Sequence, residues 1–372
     1  RLRLRASQQN ASVLPADSRY AIEHDFMDTS FRSMYQGLAS FLSAPKRRRD
    51  LLLGRREPAF DESYQEKIST AADDFARITL KALAARDLFL LIGPPGTGKT
   101  SRALRSMVEA FYKEGRQILL MSYTNRAVDE ICKTLSAIEP AIDYIRMGSE
   151  LACEAAYRPH LIENILEECN NRREVQSRIA RCRVFVGTVA TLSAKPDLFR
   201  LKHFDVAIVD EATQILEPQL LGLLCTCNSD DREAIGKFVL IGDHKQLPAV
   251  VQQSSDQSEV CDEKLRSFGM YNLKDSLFER LYRHFSVQSA LKGRNGFLSE
   301  PSFDMLCRQG RMNEEVALFP NQAFYGGLLQ PIGLPHQQGR LELAPGLESH
   351  PLAAILTQRV AFLPSVAGPA SQ

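Results

Sequence analysis

Gly93-Pro94-Pro95-Gly96-Thr97-Gly98-Lys99-Thr100 follows the apolar run Leu88 to Ile92 and precedes a helix-like segment that ends near Gly115. The stretch fits G-x-x-x-x-G-K-[ST] and stands in the order strand, glycine loop, helix that gives such a pattern physical meaning. Glycines let the backbone curl until its N–H groups converge on one concavity, and the positive end of the next helix adds to the pull on phosphate oxygens. Gly93 to Thr100 are therefore expected to hold the phosphates of a nucleotide, with Lys99 reaching the β- and γ-phosphates and the Thr100 hydroxyl ligating magnesium. The competing reading is a glycine-rich turn that binds nothing.

Working outward, short apolar runs at 88–92, 118–121, 184–186, 206–209 and 238–241 alternate with helical patterns. Runs so continuous in Leu, Ile and Val, separated by helices, predict a buried parallel sheet covered on both faces, an α/β fold with a doubly wound parallel sheet. In such a sheet the ligand sits at the carboxyl ends of the strands, where the glycine loop falls. Residues 143–181 interrupt the rhythm with charged helical segments at 161–169 and 172–179 and read as a helical insertion on the rim. A Gln-, Ser- and Asp-rich break at 252–262 reads as a mobile loop, and helical pattern returns at 273–285. The expected divisions are a helical, partly basic region 1–70, a first α/β domain 71–295, and the beginning of a second α/β domain 296–372 that ends in a frayed 364–372.

Composition narrows the classes. Over 372 residues the formal net charge is +1, so no global field draws the chain onto nucleic acid and any such contact must be local. Lys46-Arg47-Arg48-Arg49, followed by Arg55 and Arg56, is a basic run explained by a solvated helix face, with nucleic-acid contact as the alternative. Eight scattered cysteines, of which Cys225 and Cys227 alone are close together, match neither a zinc site nor a disulfide framework, so buried thiols in a reducing, cytoplasmic setting are expected. Apolar runs fall short of the roughly 18 residues that a membrane span needs. The first residue is Arg1 rather than methionine, so a lost targeting segment is not excluded.

The chemistry-bearing residues follow the later strands. Val206-Ala207-Ile208-Val209 runs into Asp210-Glu211-Ala212-Thr213-Gln214, placing two acids at a carboxyl end: Asp210 to hold magnesium through its water shell, Glu211 to polarise the attacking water. Phe238 to Ile241 leads into Gly242-Asp243-His244-Lys245-Gln246-Leu247-Pro248, where the Gln246 amide is placed to sense the γ-phosphate. His244 and Lys245 receive no role.

GPPGTGKT at 93–100, SYTNRAVDEI at 122–131, VGTVATLS at 186–193, DEATQ at 210–214, GDHKQLP at 242–248, and Gln309-Gly310-Arg311-Met312 followed by Phe319-Pro320 and Phe324-Tyr325 together resemble the superfamily 1 helicases, within them the up-frameshift-type group. The resemblance covers about 75–330. It implies a P-loop RecA-like fold, hydrolysis of ATP or another NTP with Mg2+, and movement of a monomer along single-stranded DNA or RNA, in the 5′ to 3′ direction. It also implies that Arg311 reaches the γ-phosphate from a second motor domain, and that Thr124, Asn125, Gly187 and Thr188 grip the nucleic-acid backbone. Hydroxyl, amide and helix-start N–H groups suit such contacts. The alternatives are an ordinary helix cap for Thr124, a strand-ending turn for Gly187 and a surface arginine for Arg311.

Two departures concern the base. Phe75 precedes Gly93 by 18 positions, where family members carry an adenine-reading glutamine, and Gly310 replaces a base-stacking tyrosine. Phe75 either offers a stacking face or is a core residue, with Gln65 or a backbone carbonyl reading the base; a phenyl ring cannot hydrogen-bond, so loose nucleotide selectivity is expected. Nothing after Gly327 matches the family's late blocks, and Arg359-Val360-Ala361-Phe362 resembles the opening strands of the second domain, so the chain reads as a fragment. The rival function is a nucleotide-gated clamp that binds nucleic acid or protein without unwinding. A P-loop kinase or GTPase fits less well, because DEATQ followed by GDHKQLP has no place in either.

Overall fold

The computed structural model describes residues 29–361 except 168, 295, 340, 344, 345, 347, 348 and 351. Seven strands, β1 (Leu88–Ile92), β2 (Ile118–Ser122), β3 (Tyr144–Met147), β4 (Val184–Thr188), β5 (Phe204–Val209), β6 (Ile235–Gly242) and β7 (Phe303–Met305), form one sheet in the order β3-β4-β2-β5-β6-β1-β7. All neighbouring pairs are parallel.

Successive side chains of a strand point to opposite faces, and here both faces are buried. In β1, Leu88, Leu90 and Ile92 enter one core while Phe89 and Leu91 enter the other. The second core is closed by Ile78 and Ala82 of the helix Asp74–Ala84, by Met107, Val108 and Phe111 of Arg105–Lys113, and by Val128 and Ile131 of Asn125–Ser136. Leucines of Glu217–Leu224 and Leu277, Phe278 and Leu281 of Leu277–Leu291 close the first. This is the doubly wound α/β arrangement expected from the apolar runs, and the RecA-like fold that the resemblance implied.

β3 and β7 were not expected. β3 lies inside the stretch read as a helical insertion, and it escapes an apolar-run search because its four residues include Arg146. That arginine is 0% exposed; Asp129 of the Asn125–Ser136 helix neutralises it, with Oδ1 2.8 Å from Nη2 and 3.0 Å from Nε. The helices Ile162–Glu167 and Arg172–Arg181 do follow, but Ile162, Ile165 and Ile179 enter the sheet's own core, so they cover the β3 and β4 end and form no separate rim subdomain. β7 lies past the boundary expected at 295/296, and its Phe303, Asp304 and Met305 pair with Leu90, Leu91 and Ile92.

Asp304, also 0% exposed, explains why β7 is hard to see in sequence and why it stays in place. Its carboxylate accepts Arg77 Nε at 3.0 Å and Lys81 Nζ at 2.9 Å, both from the helix Asp74–Ala84. Burial lowers the Lys81 pKa, with Asp304 opposing. Asp304→Ala is expected to cost about 3–5 kcal/mol, because it removes the carboxylate that neutralises the buried Lys81, while Arg77 keeps Asp74 at 2.6 Å. The check is a urea melt, with a lower midpoint at unchanged slope; an unchanged midpoint would show that the network adds no stability.

The basic run is corrected in part. Lys46–Leu52 is a helix, and Lys46 and Arg47 are exposed, but Arg48 is 4% exposed. It pairs with Glu233 at 2.7 Å, donates to the carbonyls of Leu224 and Ile235 at 2.9 Å each, and lies over the Phe238 ring. Arg48 thus docks its helix on the sheet and is not available to nucleic acid. Of the cysteines, Cys132, Cys153, Cys182 and Cys225 are buried, whereas Cys261 is exposed. The 252–262 break contains the single turn Asp256–Ser258 and an antiparallel bridge from Glu259 to Asn272, and the expected 273–285 helix runs Leu277–Leu291. Residues 359–361 form no strand, while Phe362, the 364–372 end and residues 1–28 lie outside the described residues. No described helix is long and apolar enough to cross a membrane.

Candidate nucleotide-binding site

The loop leaving β1 turns back through two left-handed glycines, Gly96 at φ +73° and Gly98 at φ +79°. Side chains rarely adopt that conformation, which is why the loop needs glycine there. Thr97 locks the curl by donating from Oγ1 to the Pro94 carbonyl at 2.7 Å, and Gly93 N donates to Gly242 O at 2.9 Å, tying the loop to the end of β6. Arg102 and Ala103 N–H both donate to the Gly98 carbonyl, at 2.9 and 3.0 Å, so the helix opens with a widened first turn that carries Lys99 and Thr100.

The acids arrive from β5. Asp210 N donates to Met121 O at 2.8 Å, which extends the ladder one residue past the strand and buries the side chain to 2% exposure. Asp210 Oδ2 accepts the Thr100 hydroxyl at 2.6 Å. Burial raises the Asp210 pKa, with the Thr100 hydrogen bond opposing. Glu211 is left-handed at φ +54°, a conformation that costs a non-glycine residue on the order of 1 kcal/mol. Its Oε1 lies 2.6 Å from Lys99 Nζ, and its Oε2 accepts Gln214 Nε2 at 3.2 Å. Four of the expected residues, Lys99, Thr100, Asp210 and Glu211, therefore meet at one sheet edge. Thr100 and Asp210 supply hard oxygen donors side by side, the donor chemistry that magnesium takes.

Gln246 follows β6, and its amide donates to Asp243 Oδ2 at 2.7 Å. The same buried Asp243 oxygen accepts the Tyr325 hydroxyl at 2.7 Å. Asp243 received no role from the sequence, and its contact with Tyr325 joins residues 82 positions apart. Arg311 is exposed, and its turn lies against the phosphate loop: Gly310 N donates to Gly96 O at 2.9 Å, and a side chain at Gly96 would collide with Arg311 Cβ.

Phe75 is half-buried, packs on the second core and carries the Arg102 guanidinium 4.1 Å over its ring. Arg102 is a residue that spacing alone did not single out. Gln65 lines a cleft of about 510 Å3 with Lys81 and Ser302. Ser302 precedes β7, and in a parallel sheet that is the amino edge, opposite the glycine loop, so Gln65 is poorly placed to read a base.

Thr124 and Thr188 are both helix caps: Thr124 Oγ1 accepts Ala127 N at 3.2 Å and Thr188 Oγ1 accepts Thr191 N at 3.1 Å. Ser122 pairs with Thr188 across adjacent strands, so Thr124, Asn125, Gly187 and Thr188 lie together at the carboxyl edge. Gly187 packs tightly, since a Cβ there would sit 3.1 Å from Met147 Cβ.

Comparison with known proteins fits this arrangement. A family model described as AAA domain matches residues 71–180 and 163–254. The chain is 27% identical over 349 residues to the DNA replication ATP-dependent helicase/nuclease DNA2 of Gallus gallus, covering 87% of this chain and 30% of that protein. It is 34% identical over 199 residues to the DNA replication ATP-dependent helicase/nuclease JHS1 of Arabidopsis thaliana, covering 54% and 14%. Among solved structures, an arterivirus nonstructural protein 10 (helicase) in complex with DNA aligns at TM-score 0.40 and 14% identity, over 70% of this chain and 44% of that one. The chain spans at most 30% of the length of these curated relatives. The AAA-domain match over residues 71–254 and the helicase relatives support a superfamily 1 helicase motor domain, and the sequence blocks fit the up-frameshift-type group.

Proposed function

We propose that this chain is the nucleotide-hydrolysing part of a helicase or translocase that uses ATP or another NTP to move along single-stranded nucleic acid. The observation that carries the reading is the pair of contacts across one sheet edge, Lys99 to Glu211 and Thr100 to Asp210, both at 2.6 Å. Phosphates enter the concavity of Gly93 to Thr100, where backbone N–H groups and Lys99 hold them. Lys99 exchanges Glu211 for the triphosphate, and the released carboxylate accepts the proton of the attacking water. Mg2+, held by Thr100 and Asp210, would supply charge neutralisation between the β- and γ-phosphates. Arg311 adds positive charge on the γ-phosphate, and Gln246, held on Asp243, registers whether that phosphate is present.

Nucleic acid lies along the carboxyl edge, where the helix starts at Thr124–Asn125 and after Thr188 offer polar groups to its backbone and Gly187 lets it approach closely. The Thr188 hydroxyl is engaged both ways, accepting Thr191 N and donating to Thr191 Oγ1, whereas the Thr124 hydroxyl accepts Ala127 N and keeps its proton to donate to a phosphate. The first domain continues through β7, and a second α/β domain begins after it, so that Arg311 sits at the junction. A monomer in a reducing, cytoplasmic compartment suits the free thiols.

Turnover of ATP, GTP and CTP with and without single-stranded DNA or RNA tests the reading. Stimulation by the polymer is expected, with the three nucleotides turned over at rates within about tenfold of each other, because Phe75 and Gly310 offer no hydrogen bond to a base edge. Turnover that ignores the polymer would favour the clamp. A preference for ATP on the order of a hundredfold, about 2.7 kcal/mol, would overturn the loose selectivity.

A further inference from the structure

The turn that carries Arg311 is held from a segment that matches none of the blocks. Gln337, in the short helix Pro335–Gln338, is 0% exposed, and its amide is fully engaged. Its Oε1 accepts the N–H groups of Ile332, Gly333 and Leu334 at 3.1, 3.0 and 3.1 Å. Its Nε2 donates to Gln309 O at 2.9 Å and Met312 O at 3.1 Å, the two carbonyls that bracket Arg311. From inside the turn, Gln309 Oε1 accepts Arg311 N at 3.0 Å and Met312 N at 2.7 Å, and Gln309 Nε2 donates to Met312 O at 2.9 Å. On the far side, Gly310 N bonds to Gly96 O. A continuous backbone linkage therefore runs from 332–337 through the Arg311 turn to the phosphate loop.

We infer that Gln337 is a positioning residue for Arg311: it fixes the turn so that the guanidinium addresses the terminal phosphate bound in the Gly93–Thr100 loop. A surface turn that needed only to connect β7 to the next helix would not require two buried glutamine amides to define each peptide around one arginine. Buried amides this completely paired hold a single conformation, since leaving any one group unpaired costs its full desolvation. The inference rests on the proposed role of Arg311.

The test uses the whole chain with Mg2+ and compares the dissociation constants of ADP and a non-hydrolysable ATP analogue, a ratio that reads the terminal phosphate without requiring turnover. Arg311→Ala is expected to reduce the preference for the triphosphate by about tenfold, the worth of one charge-assisted contact. Gln337→Met keeps the side-chain length and removes all five hydrogen bonds; it should reduce the preference by a similar factor with the ADP constant unchanged, and the double variant should lose no more than either single one. Gln337→Glu, which keeps the three accepted bonds and opposes a carboxylate to the two carbonyls, should behave like Gln337→Met even if the latter lowers the melting temperature. If both Gln337 variants keep the wild-type preference while Arg311→Ala loses it, or if the losses add, the inference is overturned and the Arg311 reading stands. Should Arg311→Ala itself change nothing, the role of Arg311 fails and the inference falls with it.

Discussion

Lys99→Ala is expected to weaken nucleotide binding by about 30-fold to several thousand-fold, the 2–5 kcal/mol that truncating one partner of an enclosed charge contact costs. The side chain that disappears is the only lysine of the loop, and its ammonium is held 2.6 Å from Glu211 by the widened first turn of the helix. Its stem lies against Gly93, where a Cβ would sit 2.8 Å from Lys99 Cβ; alanine keeps that atom, so the loop should hold its shape. Titration with a fluorescent nucleotide reads the affinity, and a thermal melt within a few degrees of wild type assigns the loss to the missing charge rather than to unfolding. Wild-type affinity in this variant would refute the assignment of Gly93–Thr100 as the phosphate site.

The second large effect separates binding from chemistry. In Glu211→Gln the amide keeps the size and polarity of the side chain but no longer takes a proton from water, so turnover should fall by roughly 10²- to 10⁴-fold, the usual worth of a general base. Affinity should hold or rise. In the native chain the triphosphate must displace Glu211 from Lys99, and glutamine removes that ionic competitor. Single-turnover hydrolysis and equilibrium binding, measured on the same preparation, check both halves. Hydrolysis at the normal rate would show that another group activates the water.

These two predictions draw on different kinds of information. That Lys99, Asp210 and Glu211 would gather at one sheet edge was legible in the order of residues, because each follows an apolar strand and the carboxyl edge of a parallel sheet gathers whatever follows its strands. That Lys99 and Glu211 form an ion pair, and that the Arg311 turn rests on Gly96, was not, since those contacts join segments brought together only by the sheet order β5-β6-β1-β7.

The amino-acid order by itself determined the doubly wound core and the phosphate loop, through continuous Leu, Ile and Val runs and glycines at offsets that need left-handed backbone. Tertiary structure alone decided the elements that carry buried charge. β3 and β7 are strands despite Arg146 and Asp304, and Arg48 is a docking residue despite its basic neighbours. In each case the residue's local pattern argues for exposure, and a partner from a distant element, Asp129, Arg77 with Lys81, or Glu233, reverses that preference by neutralising the charge inside. Hydrophobic periodicity is a property of neighbours in sequence, whereas charge compensation is a property of neighbours in space.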